Sequence, residues 1–301
     1  MKVLLTGGNG FVGRHVLDAL RQREIAVVLC GRNTPMSFPY GAEFLPCDLL
    51  DAEAVTSLCQ KAKGTHLLHL AWGMSPTGGY WTSEDNLRWL SASQHLIRAF
   101  ITAGGHRVVG VGTGVEYSPV RGPRDEYRTP TIPDTVYGKA KLACGAALQA
   151  LAASLSFSGV WARLFYLFGP GEKPERLMPA ACRALRANSP FCCKNGNAFL
   201  DYMDVRDAAQ ALASLLLSDI QGVVNIASGK GRYVKDILRA LAVAVDMPAA
   251  FAFETPQRNN GLSIVARTKR LRAELGFTSR YSLEQSLLDC FRHSSFNEGH
   301  I

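Results

Sequence analysis

The first thirteen residues constrain the fold more than any other stretch. Met1-Lys2-Val3-Leu4-Leu5-Thr6 is a short apolar strand that runs straight into Gly7-x-x-Gly10-x-x-Gly13, and an apolar-periodic run follows to Leu20. Strand, glycine turn and helix in that order are the context of a dinucleotide-binding turn. Glycine makes the tight turn, lets backbone amides approach a pyrophosphate and lets the helix pack close on the strand, while the helix amino terminus supplies positive potential. The expectation is an α/β chain built on a doubly wound parallel sheet of Rossmann type, with a smaller carboxyl-terminal lobe.

A second feature lies at mid-chain. Val136 to Leu155 is rich in Ala and Leu without internal Pro, and so is predicted helical. Tyr137 and Lys141 then stand four residues apart on one face. An ammonium one turn from a phenol stabilises the phenolate, which suits the tyrosine to proton exchange with a carbonyl or hydroxyl oxygen. Taken alone, such a pair is also what an ordinary exposed helix face carries. Between the two features, Ala26 to Cys30 forms a second strand ending in Gly31-Arg32-Asn33, and Phe44 to Leu49 a third. His66-Leu67-Leu68-His69-Leu70-Ala71-Trp72 follows as a fourth, and its histidines read as core residues because no Ser or Asp is spaced to complete a triad. The loop Gly73 to Thr82, with Tyr80 and Trp81, is placed where ligands sit; its two aromatics either cover a ligand or pack the loop onto the body. Glu84 to Ala103 is a long amphipathic helix closed by Gly104-Gly105, and Arg107 to Gly112 a fifth strand delivering Thr113 to the sheet edge.

Composition narrows the partners. A chain of 301 residues, 47% apolar, can bury one large core or two unequal ones. Its formal charge of +8 comes from scattered Lys and Arg with no interleaved aromatic platform, which points away from nucleic acid and towards an anionic cofactor and an anionic substrate. The eight cysteines have no zinc-like spacing and read as reduced thiols, so no metal is expected. No apolar run spans a bilayer and no leader segment is evident, so a cytoplasmic protein without membrane contact is expected.

The glycine turn, Tyr137-x-x-x-Lys141 and the strand ends together resemble the short-chain dehydrogenase/reductase superfamily, in the extended branch of epimerases, dehydratases and ketoreductases. The runs Trp81-Thr82-Ser83-Glu84 and Gly112-Thr113-Gly114-Val115-Glu116-Tyr117 most resemble reductases of nucleotide-linked 4-keto-6-deoxy sugars, the CDP-abequose synthase type. The resemblance implies that Gly7, Gly10, Phe11, Val12 and Gly13 cradle the cofactor, that Asp48 and Leu49 lie beside its adenine, and that Leu70, Ala71 and Trp72 pass under it. It implies Asn86 as a positioning residue of the cofactor site. Thr113, Tyr137 and Lys141 become the catalytic set, the last two also touching the cofactor. Tyr80, Trp81, Thr113, Tyr166 and Arg258 become substrate contacts.

NAD-selective members carry an acidic residue near position 32, whereas Arg32 suits a 2′-phosphate, so NADPH is preferred over NAD. Dehydratases carry Asp-Glu directly after the threonine; Gly114 and Val115 stand there, which disfavours dehydration. Leu200 replaces a diphosphate-binding arginine and Tyr166 an asparagine, leaving Arg176 and Arg206 as candidates to compensate. The resemblance also implies a homodimer through the helices starting near Asn86 and Tyr137, both apolar on more than one face. Residues 1–170 are expected to form the dinucleotide domain and 171–301 mainly a substrate lobe, with 201–228 packing back on the first. A nucleotide-sugar ketoreductase is the leading expectation. An epimerase that retains its cofactor and a non-catalytic NADPH sensor are the alternatives.

Overall fold

Seven parallel strands carry the molecule. The computed structural model describes residues 1–33, 42–73, 79–120, 122–247, 251–254 and 263–294. In chain order the first half is β1 (Lys2–Thr6), α1 (Phe11–Arg21), β2 (Ala26–Gly31), β3 (Glu43–Pro46), α2 (Ala52–Ala62), β4 (His66–His69), α3 (Asp85–Thr102), β5 (Arg107–Thr113), a 3₁₀ turn (Gly114–Glu116), α4 (Val136–Leu155) and β6 (Ser158–Leu164). The second half is β7 (Tyr166–Phe168), α5 (Leu177–Arg186), β8 (Phe191–Cys193), β9 (Phe199–Asp204), α6 (Val205–Leu216), β10 (Gly222–Ile226), β11 (Gly231–Tyr233), α7 (Val234–Ala244), β12 (Phe251–Phe253), β13 (Ser263–Ile264), a π-helical turn (Arg270–Glu274) and α8 (Leu283–His293).

The main sheet runs β10-β6-β5-β4-β1-β2-β3, all parallel. The order reverses at β1, between β2 and β4, which opens a crevice at the carboxyl ends of the strands. Alternation along β1 sorts its side chains between two cores. Val3 and Leu5 meet α1 and α6 on one face, while Leu4 joins Val28, Leu58, Leu96 and Trp161 under α2, α3 and α4 on the other. Both faces are covered, so the strands are mainly apolar, with His69, Arg107, Arg163 and Asn225 among the buried polar residues at or near their ends.

The smaller lobe has a four-stranded sheet in which β9 pairs with β7, β11 and β13. Its core of Phe168, Met178, Cys182, Leu200, Ile237, Leu241 and Leu287 joins α5, α7 and α8. Between the lobes, His15 Nε2 donates to the carbonyl of Pro170 at 2.9 Å. A Cβ on Gly171 would stand 2.6 Å from Arg14 Nη1.

Two expectations need correcting. Thr268 to Leu275, which reads as helical from its sequence pattern, is not an α-helix: Leu275 N bonds the carbonyl of Arg270, giving one π turn, and Gly276 at φ +68° ends it. Arg270 holds that turn by reaching Glu274 and the carbonyls of Gln221 and Val223. For the dimer helices, Ala140, Leu148 and Leu151 are buried within the chain, so they cannot form a second apolar face. The outward apolar positions are instead Ala143, Ala146, Ala153 and Leu155 on α4 and Leu87 on α3. No helix among the described residues is long and apolar enough to cross a membrane.

Candidate active site

The glycine turn comes first because everything else is placed over it. Gly7 has φ +75°, and a Cβ there would fall 2.6 Å from Ala71 N. A Cβ on Gly13 would stand 2.1 Å from the Gly7 carbonyl oxygen, so α1 packs on the turn only with glycine at that point. Gly10, the N-cap of α1, offers no side-chain acceptor to the first amides of the helix. Those amides are therefore free to meet an anion, and the cradle fits a pyrophosphate. Phe11 and Val12 stand partly buried in the first turn.

Beneath the turn a directed hydrogen-bond chain fixes the end of β4. Ala71 N donates to Thr6 Oγ1 at 3.3 Å, and Thr6 Oγ1 lies 2.7 Å from His69 Nδ1. His69 Nε2 lies 2.9 Å from Ser93 Oγ, whose own hydroxyl donates to the Trp89 carbonyl. With both hydroxyl protons so directed, His69 is the neutral Nε2–H tautomer. Burial, with Lys141 adding to it, brings its pKa down to about 3. It is a structural residue, as expected.

Thr113 caps the 3₁₀ turn, and across the mouth of β5 its hydroxyl is near enough to Tyr137 to pull the phenol's pKa down. Thr135 caps α4 through Gly138 N at 3.0 Å, and the Trp81 carbonyl accepts from Tyr137 N at 3.1 Å. Three rings enclose the Tyr137 ring, with centroids at 5.1 Å (Tyr80), 5.5 Å (Trp81) and 6.4 Å (Trp72). Tyr80 and Trp81 also stack on each other at 4.4 Å, so they bind the loop to the site itself.

Lys141 is buried, which removes the ordinary exposed-pair interpretation. Its Nζ donates to the Val111 carbonyl at 2.9 Å and stands 3.9 Å over the Trp72 ring. Here the expectation that Lys141 lowers the Tyr137 pKa is corrected. Burial first, then Tyr80 and Glu116, push the phenol up, and the Thr113 hydroxyl only partly offsets them. The ammonium faces Val111 and Trp72, and burial lowers its own pKa to about 8.

Asn86, implied above as a positioning residue of the cofactor site, is held by its own neighbours. It is buried, accepts from Trp72 Nε1 at 2.9 Å, and donates to the carbonyls of Tyr80 and Ser83 at 2.6 and 2.9 Å. Both amide protons are thus engaged, so it positions Trp72 and the Tyr80 loop rather than touching a ligand. At the sheet's other side, Arg32 is exposed at the end of β2 and makes no ion pair among the described residues. The loop it stands on is tied to the glycine turn by Asn9 Nδ2, which donates to the Asn33 carbonyl at 3.2 Å. Exposed Asp48 accepts from Leu50 N, and Leu49 is buried. Leu70 and Ala71 border the turn.

On the second lobe the arginines sort differently from expectation. Arg206 chelates Asp204 at 2.7 and 3.0 Å, pairs with Asp289 at 2.8 Å and lies 3.6 Å over the Tyr281 ring, so it has no donor set left for a diphosphate. Arg176 is exposed, 3.6 Å from Glu172, and its charge acts on Tyr80, Tyr166 and Tyr202. Arg258 lies outside the described residues. Leu200 is a core residue.

Sequence reasoning missed Glu172: its Oε2 is buried without a partner, and burial, against the pull of Arg176, raises its pKa to about 7. It also missed the inward turn of Glu116, which has no exposed surface. Each has a partner at local spacing, Arg176 four residues after Glu172 and Thr113 three before Glu116, but neither spacing tells that the carboxyl is buried.

The sequence model of the NAD dependent epimerase/dehydratase family matches residues 3–227. The chain is 26% identical to a UDP-glucose 4-epimerase of Azospirillum brasilense over 93% of its own length and 88% of that protein. It is 26% identical to the dTDP-6-deoxy-L-talose 4-dehydrogenase (NAD(+)) of Aggregatibacter actinomycetemcomitans over 78% of its length and 87% of that protein. In three dimensions it resembles the UDP-glucose 4-epimerase of Thermus thermophilus, solved with NAD, with a TM-score of 0.84 at 24% identity over 99% of this chain and 100% of that one.

Proposed function

The chain belongs to the NAD dependent epimerase/dehydratase family, and on that premise we propose that it reduces a keto group on a nucleotide-activated 4-keto-6-deoxy sugar with NADPH. The observation that carries this reading is that the end of β5 and the start of α4 bring Thr113 and Tyr137 to one place, with Lys141 buried one turn behind and its Nζ on the Val111 carbonyl at 2.9 Å. Gly7, Gly10, Phe11, Val12 and Gly13 hold the pyrophosphate, Asp48 and Leu49 flank the adenine, and Arg32 pairs with the 2′-phosphate. When bound, the cofactor supplies hydride chemistry at its nicotinamide.

The protein's own part is acid catalysis and orientation. Tyr137 gives its phenolic proton to the carbonyl oxygen, Thr113 donates a hydrogen bond to that oxygen as charge develops, and Lys141 engages the ribose. A tyrosine whose pKa is pushed up stays protonated, which suits a donor. Dehydration would need a second acid and base beside the threonine. Gly114 and Val115 offer none, and Glu116 turns into the core. Tyr80, Trp81 and Tyr166 of the cofactor domain, 1–170, and Arg176 of the second lobe, mainly 171–301, border the sugar nucleotide. Two chains pair through α3 and α4.

Loss of NADPH absorbance with a panel of nucleotide 4-keto-6-deoxy sugars, dTDP-4-dehydro-6-deoxyglucose among them, tests the reading. Stoichiometric oxidation supports it. Interconversion of UDP-glucose and its 4-epimer with no net cofactor consumption would replace it with an epimerase.

A further inference from the structure

Glu116 is held as few carboxylates are. One oxygen accepts from Thr113 N at 2.8 Å, the other from Arg163 Nε at 2.6 Å, and Trp161 Nε1 is shared between them at 3.0 and 3.1 Å. The surroundings leave room for it: a Cβ on Gly112 would stand 2.2 Å from Glu116 Oε1, and one on Gly145 would stand 2.7 Å from Trp161 Nε1. Arg163 lies 4.4 Å over the Tyr117 ring, and its Nη1 is buried without a partner. A buried ion pair with an orphaned donor is a poor stabiliser, because desolvating both charges offsets their attraction and packed apolar side chains do as well or better. Its position, bonded to the backbone of Thr113, gives it another use.

We propose that Glu116 is a positioning residue of the reaction: its carboxylate, held by Arg163 and Trp161 and accepting from Thr113 N, fixes the backbone that aims the Thr113 hydroxyl at the site beside Tyr137. The inference rests on Tyr137 being the proton donor. The titratable groups acting on that phenol are Tyr80 from the loop before α3 and Glu116 from the 3₁₀ turn, and Arg163 on β6 holds Glu116. Tyr80 and Glu116 act in one direction, raising the phenol, whereas Lys141 is engaged with Val111 and Trp72.

The test compares kcat for NADPH-dependent reduction of dTDP-4-dehydro-6-deoxyglucose, and the dissociation constant for NADPH, in four proteins: the wild type and three variants. Glu116→Asp keeps the charge but not the reach, and should lower kcat at least tenfold with the dissociation constant for NADPH within twofold. Glu116→Gln combined with Arg163→Met removes both buried charges together but keeps an acceptor long enough to reach Thr113 N, and should retain more of the wild-type kcat than Glu116→Asp. Tyr137→Phe should lower turnover by at least about 10²-fold.

Near wild-type kcat in Glu116→Asp, or a double variant no more active than Glu116→Asp, overturns the inference while an inactive Tyr137→Phe leaves the donor assignment standing. Retained turnover in Tyr137→Phe overturns the donor assignment itself. Failure of both Glu116 variants to fold would assign the pair to stability alone and overturn the proposal as well.

Discussion

Replacing Lys141 with Met should stabilise the cofactor-free protein at neutral pH while removing its activity. Burial brings the Lys141 ammonium from an ordinary pKa of 10.5 to about 8. Each pH unit separating those two values is worth about 1.4 kcal/mol, so the charged form costs the folded chain about 3 kcal/mol at pH 7. Between pH 8 and 10.5, bounds set by those two pKa values, the unfolded chain holds a proton that the folded chain has released. Stability therefore rises with pH across that window, and the cost falls below about 1 kcal/mol at pH 10.

Met has similar length and no charge, so it removes this pH-dependent cost. It also leaves the Val111 carbonyl without its donor, a loss that does not change with pH. The difference in unfolding free energy, variant minus wild type, should thus favour the variant by about 2 kcal/mol more at pH 7 than at pH 10. Urea unfolding followed by circular dichroism at the two pH values measures it. A difference that is the same at both would refute the argument that the ammonium is buried at a cost for the sake of the ligand.

Tyr137→Phe should lower turnover by about 10²–10⁴-fold with NADPH binding intact, and Thr113→Val should resemble it, as measured by steady-state kinetics and fluorescence titration. Arg32→Ala should weaken NADPH by roughly 1.5–3 kcal/mol and hardly change NADH, and equal losses would remove the 2′-phosphate assignment. Glu172→Gln should raise the thermal midpoint relative to wild type as pH rises from 4.5 to about 7, the interval over which the buried carboxyl must ionise. A pH-independent offset would show that Glu172 titrates normally. Light scattering at micromolar concentration should give the mass of a dimer, and a monomeric mass would exclude pairing through α3 and α4.

Features written in neighbouring residues were legible in the sequence. The glycine turn, the strands that alternate with helices and the spacing of Tyr137 and Lys141 each depend on local pattern, and β1, α1, β5 and α4 stand where that pattern put them. Features made by distant pairs were not. Arg206 looked available for phosphate because its partner Asp289 is 83 residues away. Glu116 and Arg163 are 47 apart, and neither shows in sequence that it is buried with the other. The small sheet escaped notice because β7, β11 and β13 have three, three and two residues, and all pair with β9 rather than with their sequence neighbours. Asn86 was correctly seen as an organiser, but what it organises, Trp72 and the Tyr80 carbonyl, required coordinates.

α1 belongs to both halves of the molecule. Its first turn faces the cradle formed with Gly7, while His15 grips the Pro170 carbonyl and Arg14 fills the space beside Gly171, at the turn from which α5 and the second lobe depart. An eleven-residue helix is a rod of about 16 Å, stiff in a close-packed interior, so a displacement at one point is transmitted along it with little loss. A dinucleotide seating against its amino terminus therefore also sets the posture of the entrance to the neighbouring lobe. On the proposed reading the expected kinetic consequence is an ordered arrival, the dinucleotide first and the sugar nucleotide second, and product-inhibition patterns showing random order would refute it.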